Sequence, residues 1–288
     1  MQRFAYERPT ELSDAVGLLL AEGAAARPLS GGTDLIIRLR DRTIEAGVVV
    51  DVKHVPELAA GIRREGDRLV IGANTVMTDI AEDDTIRSRF TALAEAALVV
   101  GSVQIRNRAS LAGNICNASP AADTAPALLV HGAAVVVAGP DGTRRIPIDE
   151  WFVRSGVTTI RPGELVAAIE LPLTEGPVGS THVRRTRRRG HDLASVTLAI
   201  AVSNEGPVTL SYGSVGPRPW VVTDSSGTLA DPASSTDARA AALDRLFSSA
   251  APSPTSMRAS PEYRLAMLRV LGIRALEIAH RRLAEAAT

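Results

Sequence analysis

Residues 110–126, SLAGNICNASPAADTAP, form a stretch of mostly small side chains between two apolar segments. Small residues leave the main chain accessible, so its N–H groups can come close to a ligand or to another part of the chain. The segments on either side, SRFTALAEAALVV at 88–100 and DTAPALLVHGA at 123–133, have the apolar spacing of helices. The sequence therefore predicts that the main chain between two helices lies close to a ligand or to another part of the chain.

The chain around this stretch changes irregularly between helix and strand patterns. A helix is predicted over TELSDAVGLLLAEG at 10–23, where apolar residues recur at helical spacing. Buried strands are predicted at GVVVDV (47–52) and RLVIGA (68–73), and AAVVVAGPDGTRRIPI (133–148) predicts a hairpin that turns at PDG. The irregular order favours an α+β fold over a regular doubly wound sheet.

A second unit follows near the C-terminus. Apolar residues alternate over 196–202 and again over 208–212, which predicts an antiparallel meander with one buried face. Residues 223–260 are rich in Ser, Ala, Pro and Asp and are predicted to be exposed, weakly ordered loop around one short helix. The chain then closes on a long amphipathic helix over 260–286.

Composition and charge limit the class of protein. The chain has 288 residues, of which 45% are hydrophobic and 22% charged, as in ordinary globular proteins. Its 32 basic and 32 acidic residues give no net field toward nucleic acid or an anionic membrane, and no apolar run is long enough to span a bilayer. The N-terminus lacks signal-peptide features, so a cytoplasmic location is expected. One cysteine and scattered histidines predict no disulfide, no zinc site and no iron–sulfur cluster held by this chain alone.

Two short loops have the composition of anion-binding turns. In SGGTDL at 30–35, two glycines precede a helix start, where free N–H groups and the helix dipole suit a phosphate. A lone glycine pair is more typical of a tight turn, and the pattern is neither a dinucleotide fingerprint nor a Walker loop. SLAGN at 110–114 adds Ser110 and Asn114 as side-chain donors, and Asp123 follows as an acceptor for a sugar hydroxyl. Two donor-rich loops of this kind suit one diphosphate.

Five segments together resemble a known family. They are LSGGTDL (29–35), QIRNRASLAGNICNASPAADTAPALL (104–129), PGELVAAIELP (162–172), RRTRRRGHDLASV (184–196) and MRASPEYRLAMLRVLGIRAL (257–276). In the same order, they are similar to segments of the FAD-binding medium subunits of molybdenum hydroxylases, the family of carbon monoxide dehydrogenase and the xanthine dehydrogenase group. The resemblance covers almost the whole chain apart from residues 223 to about 256.

The resemblance implies a flavin-binding fold of the vanillyl-alcohol-oxidase (PCMH) type. It predicts an FAD-binding domain over 1–173, with subdomains at about 1–55 and 56–173, and a C-terminal domain over 174–288. The C-terminal domain is expected to combine a three-stranded antiparallel sheet with a helical bundle. In the family, the two glycine loops hold the FAD diphosphate and three further positions contact the flavin. The implied FAD-binding residues are Ser30, Gly31, Gly32, Thr33, Asp34, Leu35, Ser110, Leu111, Ala112, Gly113, Asn114, Asp123, Val166 and Arg184.

Three of these positions, and one further residue, leave alternatives open or depart from the family pattern. Asp123 is equally well placed to be the N-cap of the helix that follows it. Ala112 stands where the family usually has glycine, and a positive φ there would strain the backbone by roughly 1 kcal/mol. Arg184 replaces the family's lysine, which keeps the charge but changes its shape, and Val100 stands where some relatives have an aromatic residue near the flavin.

The run RRTRRR at 184–189 and the cysteine each have a second interpretation. A solvated strand edge is the simplest explanation for the run, in which Arg184 and Arg188 point to one face and Arg185 to the other. The resemblance favours a flavin-side role for Arg184, and binding of nucleic acid is disfavoured because no stacking platform of aromatic residues accompanies the run. Cys116 has no second cysteine nearby, so packing is favoured over redox chemistry.

The resemblance also implies a division of labour between subunits. FAD is expected in this chain, with no catalytic residue and no metal ligand. The molybdopterin cofactor is expected on a large partner subunit and the [2Fe–2S] clusters on a small one, in a dimer of heterotrimers. The chain would then pass electrons from the clusters to an external acceptor. A stand-alone FAD oxidoreductase of the same fold and a scaffold that has lost its flavin remain the alternatives.

Overall fold

The computed structural model describes residues 2–188, 190 and 192–287. The strands are β1 (Ala5–Glu7), β2 (Ala26–Leu29), β3 (Val48–Asp51), β4 (Ile62–Glu65), β5 (Arg68–Gly72), β6 (Ala134–Gly139), β7 (Gly142–Pro147), β8 (Phe152–Arg154), β9 (Val157–Thr158), β10 (Leu165–Pro172), β11 (Val178–Arg185), β12 (Val196–Ser203), β13 (Val208–Gly213) and β14 (Trp220–Asp224). The helices are α1 (Leu12–Glu22), α2 (Leu35–Arg40), α3 (Met77–Glu82), α4 (Asp84–Arg89), α5 (Thr91–Leu98), α6 (Val103–Arg106), α7 (Leu111–Cys116), α8 (Thr124–Val130), α9 (Ile148–Trp151), α10 (Thr236–Leu246) and α11 (Pro261–Ala286).

The N-terminal sheet is parallel and has the order β1-β3-β2. Helix α1 lies between β1 and β2 in the chain, as predicted, and buries Ala15, Val16 and Leu19. Because the three strands run the same way, their carboxyl ends share one edge of the sheet. The loop that begins at Ser30 leaves β2 at this edge, and Asp51 ends β3 beside it.

The middle of the chain forms a five-stranded sheet with the order β4-β5-β10-β6-β7, paired antiparallel throughout. The predicted strand at 68–73 and the predicted hairpin at 133–148 are confirmed as β5 and as β6 with β7. Helices α3, α5, α7 and α8 supply buried residues to the same large core, which we call the main core. Trp151 is fully buried in it and donates from Nε1 to the carbonyl of Ile115, at 3.1 Å.

The C-terminal sheet has the order β11-β12-β13-β14, with four antiparallel strands where three were predicted. The fourth strand comes from Trp220–Asp224, which pairs along β13 at the start of the segment that was predicted to be loop. Residues after β14 include α10, in agreement with the one short helix predicted there, and α11 matches the predicted closing helix.

The prediction that this sheet has one buried face is wrong, because both faces of β12 are covered. Val196, Leu198 and Ile200 pack with α11 in a second core, whereas Ala199 and Ala201 on the other face belong to the main core. The residues between the large apolar ones are small, so helices α5 and α8 pack closely against that face. Alternation of large and small residues was therefore mistaken for alternation of buried and exposed ones.

Candidate functional site

The two glycine loops meet at the carboxyl edge of the parallel sheet. We call residues 30–35 the first glycine loop and residues 110–114 the second. A Cβ atom on Gly31 would lie 1.9 Å from the carbonyl oxygen of Arg108, just before the second loop. Gly32 has a φ of +74°, a conformation that favours glycine. The first glycine thus permits contact between the loops, and the second permits the turn into α2.

A chain of side-chain hydrogen bonds also joins the two loops. The Nδ2 atom of Asn74 donates to two main-chain carbonyls, which fixes its Oδ1 as the acceptor for the Ser30 hydroxyl, at 2.6 Å. Ser110 must then donate to Ser30, over 2.9 Å, and its own oxygen accepts from the Gly113 N–H. Because the Ser110 proton is used inside the protein, its hydroxyl is not the free ligand donor that the sequence suggested.

The first glycine loop presents main-chain donors that have no partner. Within the described residues, the hydrogen bonds include no acceptor for the N–H groups of Gly31, Gly32, Thr33 or Asp34. These four residues are half-buried or exposed, so the donors are open to a ligand. A run of unpaired N–H groups before a helix start attracts an anion. Ala112 lies within helix α7 and does not have a positive φ, so the backbone strain considered for that position does not occur.

Asp123, His182 and Arg184 form a buried polar group between the N-terminal part of the chain and the C-terminal sheet. Arg184 Nη1 donates to Asp123 Oδ2 at 2.7 Å, and His182 Nε2 lies 3.4 Å from Asp123 Oδ1. Asp123 Oδ1 is buried and has no hydrogen-bond partner among the described residues. Asp123 is the N-cap residue of α8, as the alternative predicted, but its side chain makes no capping hydrogen bond to that helix.

The remaining predicted positions differ in how accessible they are. Leu111 and Val166 lie in the main core, with Val166 next to an irregularity in the pairing of β10 with β6. Leu35 is partly buried against the small cluster around Leu39. Asn114 is half-buried, and its Oδ1 accepts from the Thr124 hydroxyl at 2.6 Å.

Three residues near these positions were missed in the sequence. Asn74 fixes the first loop, Lys53 donates to the carbonyl of Ser30, and His182 lies beside Asp123. For His182 a signal was present, because Ser180, His182 and Arg184 alternate along one strand and so share a face. Asn74 and Lys53 carry no such signal, since their roles depend on contacts across 44 and 23 residues of sequence.

The arginine run begins at the end of β11, and the cysteine lies at the end of α7. Strand β11 ends at Arg185, whose Nε donates to Tyr263, and Arg187 pairs with Asp192. Arg189 lies outside the described residues. Cys116, the last residue of α7, has an exposed surface, but desolvation of its thiol raises the pKa to about 12, so packing over redox chemistry stays the prediction.

A cavity of about 370 Å³ lies elsewhere, between α4, the end of α8 and the start of β11. His131 lines this cavity and is buried edge-on to Phe90, and burial lowers its pKa to about 4. The described residues contain no group of three or more metal-ligating side chains. Among the same residues, no helix is long and apolar enough to cross a membrane.

Two family models match this chain, one over each part of it. Residues 2–174 match the family described as "FAD binding domain in molybdopterin dehydrogenase", and residues 181–279 match "CO dehydrogenase flavoprotein C-terminal domain". The chain is 29% identical over 286 residues to the carbon monoxide dehydrogenase medium chain of Hydrogenophaga pseudoflava, covering 98% of this chain and 99% of that one. It is 29% identical over 272 residues to the xanthine dehydrogenase FAD-binding subunit of Escherichia coli O157:H7, covering 93% and 92% of the two chains.

A solved structure shows the same fold along nearly the whole chain. Carbon monoxide dehydrogenase from Hydrogenophaga pseudoflava, in a form lacking the Mo-pyranopterin moiety, superposes with a TM-score of 0.90 at 28% identity, covering 98% of both chains. The expected mixed helix-and-sheet fold, an FAD-binding domain followed by a flavoprotein C-terminal domain, is confirmed. The chain therefore belongs to the family of FAD-binding medium subunits of molybdenum hydroxylases, which are multi-subunit oxidoreductases.

Proposed function

We propose that this chain holds FAD noncovalently between its two glycine loops and acts as the electron outlet of a molybdenum hydroxylase. The observation that carries the proposal is the meeting of the loops, with four main-chain N–H groups on the first of them that have no acceptor among the described residues. When bound, FAD supplies the redox chemistry, exchanging electrons between [2Fe–2S] clusters of a partner subunit and an external acceptor.

The residues of the chain fit a cofactor with a diphosphate and a polar ring. The N–H groups of the first loop and the amide of Asn114 would bind the diphosphate, because such donors satisfy phosphate oxygens without a side-chain charge. The buried Asp123 Oδ1 lacks a donor within the described residues, which suits a ligand N–H or O–H group. Arg184 would fix the orientation of Asp123 through its hydrogen bond to Oδ2.

The same proposal divides the chain at about residue 173. The parallel sheet and the five-stranded sheet would form subdomains 1–55 and 56–173, and the four-stranded sheet with α11 would form the domain over 174–288. Separate clusters of buried residues support this division, since Leu198, Ile200 and Leu210 belong to a cluster with α10 and α11 that is distinct from the main core.

Partner subunits are needed because this chain has one cysteine, whereas [2Fe–2S] clusters are commonly held by four thiolates. We propose a large subunit with the molybdopterin cofactor and a small iron–sulfur subunit, assembled as a dimer of heterotrimers. The names of the relatives support this, since they are a medium chain and an FAD-binding subunit of molybdenum-dependent dehydrogenases.

The decisive experiment is to purify the protein from its own source and record its absorption spectrum, native mass and metal content. A flavin spectrum with molybdenum, iron and two further chains is expected. A colourless protein would refute FAD binding, and a yellow protein without partners that oxidises an organic substrate by itself would show a stand-alone FAD oxidoreductase instead.

A further inference from the structure

Lys53 lies next to the first glycine loop, at the carboxyl edge of the parallel sheet. It follows Asp51, the last residue of β3, by two positions. Its Nζ donates to Asp51 Oδ1 at 2.6 Å and to the carbonyl oxygen of Ser30 at 3.4 Å. The side chain is 29% exposed, so the ammonium group can be reached from solvent. It is also the only lysine in the chain, whose other 31 cationic side chains are arginine.

Asp51 is a rigid anchor for this ammonium group. The residue is 3% exposed, and its carboxylate also accepts from the Tyr6 hydroxyl at 2.5 Å and from the Lys53 main-chain N–H at 3.1 Å. Burial by itself would raise the pKa of Asp51, but the hydrogen bonds from Lys53 and Tyr6 and the charge of Lys53 outweigh it and lower the pKa. Asp51 therefore stays ionised at neutral pH and keeps Lys53 beside the loop.

The position of Lys53 is one where ligands of parallel sheets are found. In open sheets of this kind, ligands lie beyond the carboxyl ends of the strands. Lys53 follows β3 and the first glycine loop follows β2, and these two strands are hydrogen-bonded neighbours. An ammonium group has three protons, and the described residues provide acceptors for two of them, Asp51 and Ser30.

We propose that Lys53 is a direct anion contact of this site and gives its third proton to a phosphate oxygen of the dinucleotide. The inference rests on the proposed function, in which the neighbouring loop holds the FAD diphosphate. The main-chain N–H groups of the first loop carry only partial charge, whereas Lys53 adds a full positive charge from the adjacent strand. Lys53 thus selects ligands that carry phosphate over ligands with the flavin ring alone.

The test compares three variants of the full-length chain after its flavin has been removed. Lys53→Met removes the charge, Lys53→Arg keeps it, and Arg63→Met is the matched control, because it removes an exposed cation that pairs with Glu65 away from the loop. Affinities for FAD and riboflavin are measured by flavin fluorescence, and the affinity for ADP by calorimetry. ADP carries the diphosphate without the flavin, and riboflavin carries the ring without phosphate.

Lys53→Met should weaken binding of FAD and ADP by about tenfold or more, as expected for a lost hydrogen bond from a charged group, and leave riboflavin binding unchanged. Lys53→Arg should restore most of the affinity, and Arg63→Met should bind all three ligands as the wild type does. Equal affinity of Lys53→Met and wild type for FAD would overturn the inference, and so would an equal loss for ADP and riboflavin, which would indicate a role in loop structure alone. If the wild type binds neither FAD nor ADP, the proposed function fails together with the inference.

Discussion

Replacing Gly31 with alanine is the most direct test of the contact between the two glycine loops. A Cβ at this position would lie 1.9 Å from the carbonyl oxygen of Arg108, whereas ordinary contact begins at 3.4 Å. The two loops must therefore separate by about 1.5 Å, the difference between these distances. Since the opposing atom belongs to the main chain, no change of rotamer relieves the overlap. Overpacking of this kind costs about 3 kcal/mol, the upper end of the usual range.

The separation also breaks the links that hold the donors in place. The hydrogen bond between Ser30 and Ser110 is 2.9 Å long and does not survive a displacement of that size. We expect Gly31→Ala to lower the melting temperature by roughly 6 °C or more and to abolish FAD retention. Thermal unfolding and the flavin content of the purified variant measure the two effects separately.

Gly17→Ala is the matched control, because a Cβ on Gly17 meets nothing within 4 Å and the residue lies inside helix α1. It should stabilise the protein by about 0.5–1 kcal/mol, the gain of alanine over glycine in a helix, and should leave the flavin content unchanged. A Gly31→Ala protein that melts with the wild type and keeps a full complement of FAD would refute the reasoning about the loop contact.

Three further predictions concern ionisable side chains that are partly or fully buried. Arg264 is buried and donates to the carbonyls of Ser195 and Ser214, so Arg264→Met should destabilise the protein by about 3 kcal/mol, measured by denaturant unfolding. Burial opposes ionisation of Glu95, but hydrogen bonds from Arg282, the His182 N–H and Thr181, together with the Arg282 charge, lower its pKa below the ordinary value of 4.5. Glu95→Gln should therefore have a lower melting temperature than the wild type at pH 7. The difference in melting temperature should close as the pH falls below 4.5, because the wild-type carboxylate is then protonated. Burial lowers the pKa of His131 from 6.5 to about 4, so the wild type should lose about 3 kcal/mol between pH 6.5 and 4, and His131→Phe should lose less.

Each of these predictions has a control variant or a result that would contradict it. Arg269 forms an exposed ion pair with Asp244, and Arg269→Ala should change stability by less than about 0.5 kcal/mol. A constant gap between Glu95→Gln and the wild type from pH 7 to pH 3 would contradict the role of the Glu95 charge. Identical acid profiles for His131→Phe and the wild type would show that His131 is not kept neutral by its surroundings.

Local patterns carried enough information for most of the secondary structure. The helix at α1, the strands β3 and β5, the hairpin of β6 with β7 and the closing helix α11 were all predicted, because each is set by the spacing of apolar residues within one segment. The fourth strand of the C-terminal sheet was missed because β14 gains its place by pairing with β13 and has no clear alternation of its own.

The site was predictable only in part, for a similar reason. Glycine pairs and small residues are visible in a sequence, and they led to the loops that meet in the structure. The separate roles of the two glycines could not be predicted. Gly31 is required because a Cβ there would overlap the carbonyl of Arg108, which lies 77 residues further along the chain. The hydroxyl chain through Asn74 likewise depends on the packed arrangement of segments that are distant in sequence.

The placement of Arg184 ties the proposed site to the docking of the C-terminal sheet. Asp123 precedes α8, whereas Arg184 and His182 lie on β11, so the buried polar group exists only when the two parts of the chain are in contact. The contact is itself polar: Glu95 on α5 accepts from Arg282 on α11 at 2.5 Å, and Ser180 accepts from the Ala92 N–H at 3.1 Å. The glycine loops lie wholly in the N-terminal part, which under the proposed function would hold the diphosphate donors, whereas Arg184 on the C-terminal sheet fixes the orientation of Asp123. The proposed function therefore predicts that different parts of the chain control the affinity for the nucleotide half of FAD and the environment of its ring, so a change at the docking contact should alter the second without the first.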